Sequence, residues 1–219
     1  MKSEISSYVD IYFKKLLPVF RDIENDADKY ASEFYENFMS QPANDDSVDP
    51  ASIADKALDI GIEHYSYLKL GKYHLTVTWH AMLYQLWEQQ LRSFLFREIS
   101  HVREIDFKGF CKEFREIKGE LKSHNVDVES FSRWGKIDEL RELCNVIKHG
   151  DGRALNRLRG INPSLFRKGS VIAVDLVELY KTSLLEETLN LNETTLQDYR
   201  DALLSFWGEI PERNYSEDS

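Results

Sequence analysis

No apolar run in the chain approaches the ~18 residues that a membrane-crossing helix requires. Its start, MKSEISSYVDIYF, carries early acids and lacks an apolar core, so it does not read as a secretory signal. Cysteine is nearly absent. Cys111 and Cys144 match no metal-ligand spacing and are too few for a disulfide framework, which points to a reducing, cytoplasmic setting. Five prolines and ten glycines are too few for a turn-rich β fold and favour long helices. Several catalytic signatures are also missing: GxxxxGKS/T, GxGxxG after a strand, HExxH, paired CxxC and GxSxG. Their absence removes most nucleotide-hydrolysing, dinucleotide-binding and zinc-hydrolytic readings. His64, His74, His101 and His124 show no paired spacing, so neither a metal nor a cofactor is expected. Positive charge is in deficit as well. With 28 Lys and Arg against 38 Asp and Glu, the net charge of −10 argues against a uniformly basic nucleic-acid-binding surface.

What is present is material for a core. Of 219 residues, 42% are hydrophobic, with twelve Phe, eleven Tyr and four Trp, enough for one packed domain. The expectation is an all-α bundle of about five to seven helices over 1–210, followed by a flexible acidic tail over 211–219. Tyr12, Phe13, Leu16, Leu17, Phe20, Ile23 and Ala27 recur at helical steps and predict a first helix from Tyr8 to about Met39. The polar run from Gln41 to Pro50 reads as a loop. A second helix starts near Ser52, and the sequence leaves open whether it continues through Gly71.

The strongest periodicity runs from Leu75 to about Ile99. Its stripe is Leu75, Trp79, Met82, Leu83, Leu86, Trp87, Leu91, Phe94 and Leu95, with Glu88 placed to pair with Arg92. His80 and Tyr84 fall on its polar side and read as structural. Further helices are expected over Phe107–Leu121, from about Lys136 to His149, near Ala154–Leu158 and over Leu196–Trp207. A short irregular or extended piece is expected near 170–192, with Ser170–Val174 as its β-branched part. All four Trp read as packing residues, and Cys144, next to Leu143, as a small core residue.

Charge is unevenly spread. Between Arg141 and Lys168 seven bases (Arg141, Lys148, Arg153, Arg157, Arg159, Arg167 and Lys168) face only Glu142 and Asp151, whereas the chain from Glu186 onward carries nine acids against two arginines. A basic stretch in an acidic protein suits an anion such as phosphate, with Arg153, Arg157 and Arg159 as candidate contacts. The alternative is that it pairs with the protein's own acids. Within this stretch, Arg141, Asn145 and His149 lie four apart on one helical ridge, ahead of a Gly150-Asp-Gly152 stop. A histidine in the last turn meets the negative end of the helix dipole and can act as acid or base near neutrality. It reads alternatively as a cap for the last carbonyls.

The segment LCNVIKHG resembles the signature helix of the HEPN (higher eukaryotes and prokaryotes nucleotide-binding) superfamily, in which an Arg, often followed by Asn, precedes a His by four to six residues. Asn145, Lys148, His149 and Gly150 match, and Cys144 stands where the Arg belongs. The resemblance spans about 72–160 and implies a HEPN-like helical bundle. In that family active members are metal-independent ribonucleases without cofactors. They are usually homodimers with facing motif helices, in which the His and Arg serve attack of a ribose 2′-hydroxyl on the adjacent phosphate. Carried to this chain, His149 is the candidate catalytic base, Asn145 its orienting amide, and Arg141 or Lys148 the cation.

Since a thiol cannot clamp a phosphate as a guanidinium does, a catalytically degenerate RNA- or partner-binding module in a bacterial stress or phage-defence setting is the first expectation. An active, toxin-like ribonuclease is the second. The third is an acidic immunity- or antitoxin-type protein that neutralises a protein partner.

Overall fold

The computed structural model describes residues 1–40, 49–150, 152–169 and 174–211. Most of the expected loop over 41–50, the extended piece over 170–174 and the tail over 211–219 lie outside those residues, as does Asp151. The fold is all-α. Among the described residues there is no strand, and the only ladder contacts are the isolated antiparallel bridges Phe166–Leu189 and Lys168–Asp175. The chain groups into two compact units, one formed by Tyr12–Leu75 and the other by Met1–Ile11 with Thr76–Ser219.

Helix α1 covers Lys2–Ile11 and α2 covers Ile23–Met39. The single helix expected from Tyr8 to Met39 is therefore interrupted. A π turn (Tyr12–Leu16) and a 3-10 turn (Leu17–Phe20) intervene, with Pro18 in the first positions of the latter. The physical reason is Pro18. It has no N–H to give and its ring clashes with the carbonyl four residues back, so it is tolerated only where a helical turn begins. Helix α3 then runs unbroken from Pro50 to Ser100, through Gly71. Its residues up to Leu75 fall in the smaller unit, where Ala27 of α2 and Ile53 and Ala57 of α3 are buried.

In the larger unit α3 turns Val77, Leu83, Trp87, Leu91 and Leu95 inward. Trp87 is completely buried, with its ring centroid 5.0 Å from that of Phe206 and 5.9 Å from that of Phe114. Such edge and tilted pairs add about 0.5–1.5 kcal/mol each beyond burial. The stripe is narrower than the periodicity suggested, because Met82 is 45% exposed.

His80 and Tyr84 are not on a polar side; both are buried. His80 contacts the Thr76 carbonyl through Nδ1 at 2.7 Å and the Thr195 hydroxyl through Nε2 at 3.0 Å. The neutral tautomer that fits has its proton on Nδ1, where only a carbonyl can receive it. Glu88 accepts from the Tyr84 hydroxyl at 2.8 Å. Arg92, expected to pair with Glu88, instead donates to the carbonyls of Phe110 and Phe107, both at 2.7 Å.

That contact accounts for the next difference. Helix α4 covers Phe114–Ser123, not Phe107–Leu121, and begins at a capping box in which Glu113 and Glu116 each bond the other's backbone N–H. Phe107 is left 44% exposed under the Arg92 guanidinium. Helix α5 (Trp134–His149) packs on α6 (Arg153–Ile161) and, after a short α7 (Leu176–Tyr180), on α8 (Glu193–Glu209). Asn192 and Thr195 form the capping box of α8, and Thr195 is the residue that meets His80. The buried histidine thus ties α3 to the first turn of α8.

Candidate functional site

Helix α5 carries Leu140, Leu143, Val146 and Ile147 on its buried side, as the spacing requires, together with Ile137 and Cys144. Cys144 is completely buried. Its thiol faces the Ala81 carbonyl of α3 at 3.6 Å and receives the Gln85 amide at 4.0 Å. Burial pushes its pKa above the ordinary thiol value, although Lys148 one turn on pulls the other way. The residue at the motif's arginine position is thus a packing group with no path to a ligand.

Arg141 is not poised for one either. It is half-buried, with its guanidinium 2.9 Å from Asp138 and 2.6 Å from Glu142, and it lies 5.7 Å from the centre of the Phe114 ring. Glu142 is only 1% exposed and also holds Arg157 at 3.1 Å. A buried carboxylate must be paired to be tolerated, and Arg141 and Arg157 are what pair it. Farther along, Arg159 bonds Asp175 at 2.7 Å and Glu178 at 3.4 Å, and Arg167 bonds Glu187 at 2.5 Å. Four of the seven bases in the positive stretch are therefore bound to the protein's own acids. Lys148, Arg153 and Lys168 are exposed and make no ion pair among the described residues.

His149 is exposed at the end of α5, and Asn145 one turn back is half-buried. Capping falls elsewhere. Ser183, 1% exposed, donates to the carbonyls of Val146 and Ile147 at 3.2 and 3.3 Å, and the Gly150 N–H donates to Val146 at 2.8 Å. Gly150 has φ +71°, and a Cβ there would stand 3.3 Å from the Lys181 carbonyl. Glycine at this stop therefore answers to both backbone sign and space. Ser183 is the side chain that meets these carbonyls, and of the Arg141–Asn145–His149 ridge only His149 is fully exposed.

Sequence reasoning missed Ser183 and Glu142. Ser183 lies more than thirty residues from its partners and carries no local signal. Glu142 carries no local sign of burial either, since one of the two cations that pair it is Arg157, fifteen residues on.

No group of three or more His, Cys, Asp or Glu among the described residues is placed to hold a metal ion, and no described helix is long and apolar enough to cross a membrane. No protein-family model, curated protein or solved structure matches the chain.

Proposed function

We propose that this chain is a HEPN-like helical module that binds RNA through the exposed end of α5 without cleaving it. The observation that carries the reading is what becomes of the motif's arginine position and of the nearest guanidinium. Cys144 is sealed in the core and the Arg141 guanidinium is occupied by Asp138 and Glu142. Attack of a 2′-hydroxyl needs a proton acceptor and a cation opposite the charge that builds on phosphorus. His149 is available for the first role. For the second, freeing Arg141 would strand the buried Glu142 carboxylate, a penalty of several kcal/mol, and this leaves Lys148, an exposed point charge that cannot hold a phosphate through two parallel hydrogen bonds as a guanidinium does. Binding asks less: Lys148, His149 and Arg153 flank the helix end as an anion contact. A stress or phage-defence role in a bacterium, with two copies facing through their motif helices, follows from the family resemblance.

The test is incubation of the full chain with a fluorescently labelled single-stranded RNA. The expected outcome is intact RNA, retained by the protein and released in the Lys148→Ala/Arg153→Ala double variant. Cleavage that disappears in His149→Ala would establish the active ribonuclease instead. Recovery of a basic protein and no RNA from cells would favour the antitoxin-type reading.

A further inference from the structure

Among its described residues the unit Tyr12–Leu75 buries few apolar side chains: Tyr12, Ala27, Ile53, Ala57 and Tyr73. In α2 only Ala27 is buried, whereas Tyr30, Phe38 and Met39 of that helix and Leu58, Ile62 and Tyr67 of α3 are all more than a third exposed. Leu58 is 62% and Ile62 56% exposed, one turn apart on α3. Isolated exposed apolar residues are ordinary, but a pair one turn apart, with Leu58 at the edge of a groove, is not.

The seam between the two helices explains the shape of this surface. At one end they touch: a Cβ on Gly61 would lie 2.9 Å from the Ala31 Cβ and 3.4 Å from the Ala27 carbonyl. Toward the other end the seam opens into a groove of about 450 Å³. Small residues (Ala31, Ala54, Ala57) line it together with Tyr35 and Leu58, and Asp28 and Glu36 lie along the α2 side. Helix α2 carries five acids (Glu24, Asp26, Asp28, Glu33, Glu36) against Lys29 alone, and Lys29 is paired with Glu33 at 3.7 Å.

We propose that this groove is a docking site for a basic amphipathic helix of a protein partner, one that presents apolar residues at three- and four-residue steps and is flanked by Lys or Arg. A floor of alanines admits the ridge of a third helix, which would complete the apolar contacts that two helices leave open. The occupant's sign is decided by α2. Its exposed carboxylates would face unlike charge from a basic helix but like charge from the α2 of a second copy, and like-charge contact across an interface is strongly disfavoured. The groove is built from other residues than the end of α5, and the proposal stands or falls independently of RNA binding.

The probe is a fluorescein-labelled peptide of about sixteen residues, built of Leu and Lys in helical register, with a Leu and Glu peptide of the same pattern as control. Anisotropy titration with the full chain is expected to show saturable binding of the Lys peptide that weakens as salt rises to about 0.5 M. Leu58→Asp is expected to weaken it at least about tenfold, and Asp28→Asn/Glu36→Gln to weaken it and flatten the salt dependence. Leu185→Asp, at an exposed position of the other unit, is expected to leave it unchanged. All the altered side chains are on the surface, so circular dichroism should match the parent. Equal binding of the Glu peptide, or binding indifferent to Leu58→Asp, would overturn the proposal. So would a concentration-dependent dimer dissolved by Leu58→Asp in a protein that ignores the peptide.

Discussion

Cys144 shows how far one residue can redirect a reading. Seen as a missing arginine, it invites Cys144→Arg as a repair that restores cleavage. With its side chain at zero exposure against Ala81, the same change forces a charged, much larger group into a filled space. Overpacking alone costs about 1–3 kcal/mol and an unpaired buried charge adds more. Cys144→Arg is therefore expected to lower the urea midpoint sharply and to yield no nuclease, while Cys144→Ala loses only about 1–2 kcal/mol.

His80 makes a second prediction at this scale. Full burial pushes its pKa down to about 4, against the Thr76 carbonyl, which acts in the opposite direction. The unfolded chain takes up this proton near pH 6.5 and the folded one resists until about 4. Stability linked to His80 is thus fully present above pH 6.5 and falls away as the pH drops toward 4, by roughly 3 kcal/mol in all. Urea unfolding between those pH values should show that loss in the parent, and a shallower one in His80→Gln.

Among the elements, the Tyr12–Leu75 hairpin depends on a close approach that helix propensity alone would hide. In an isolated helix Gly61→Ala stabilises by about 1 kcal/mol. Here the added methyl meets the Ala31 Cβ at 2.9 Å, so the helices must part. A net loss of about 1–2 kcal/mol is expected by thermal unfolding, and with it weaker docking of the basic peptide. Helix α8 illustrates the opposite case, a boundary visible in sequence. Asn192 and Thr195 cap its start reciprocally, and Asn192→Ala should cost about 1 kcal/mol. Pro18 was visible too, but the periodic apolar residues on either side of it disguised the break as a continuous helix.

For the whole molecule, the decisive quantity is how much of the positive stretch is free. If all seven bases met a single-stranded RNA, the logarithm of affinity would fall against the logarithm of salt with a slope near about −5. With Arg141, Arg157, Arg159 and Arg167 held by acids, a slope of about −2 is expected from Lys148, Arg153 and Lys168. Filter binding across salt concentrations measures it directly. The division into two units, with most of the buried apolar residues in the larger, is also a property of this scale. Composition, which averages over the chain, offered one packed domain.

Some of this was dictated by local chemistry and needed no partner. Helical period placed α5 and α8 to within a few residues, and the glycine after His149 marked a true stop. The burial of Cys144 beside Leu143 followed from the same period. Other features were decided only when distant residues met. Arg92 took the carbonyls of Phe107 and Phe110, so α4 started late and Glu88 lost its expected partner. Asp138 and Glu142 claimed Arg141, and Ser183 claimed the last-turn carbonyls of Val146 and Ile147. Hydrophobic period is a property of neighbours along the chain, whereas the partner of a charge or a capping hydroxyl is set by whichever group the fold brings within hydrogen-bond reach. That is why the position of the candidate helix was legible in the sequence and the availability of its side chains was not.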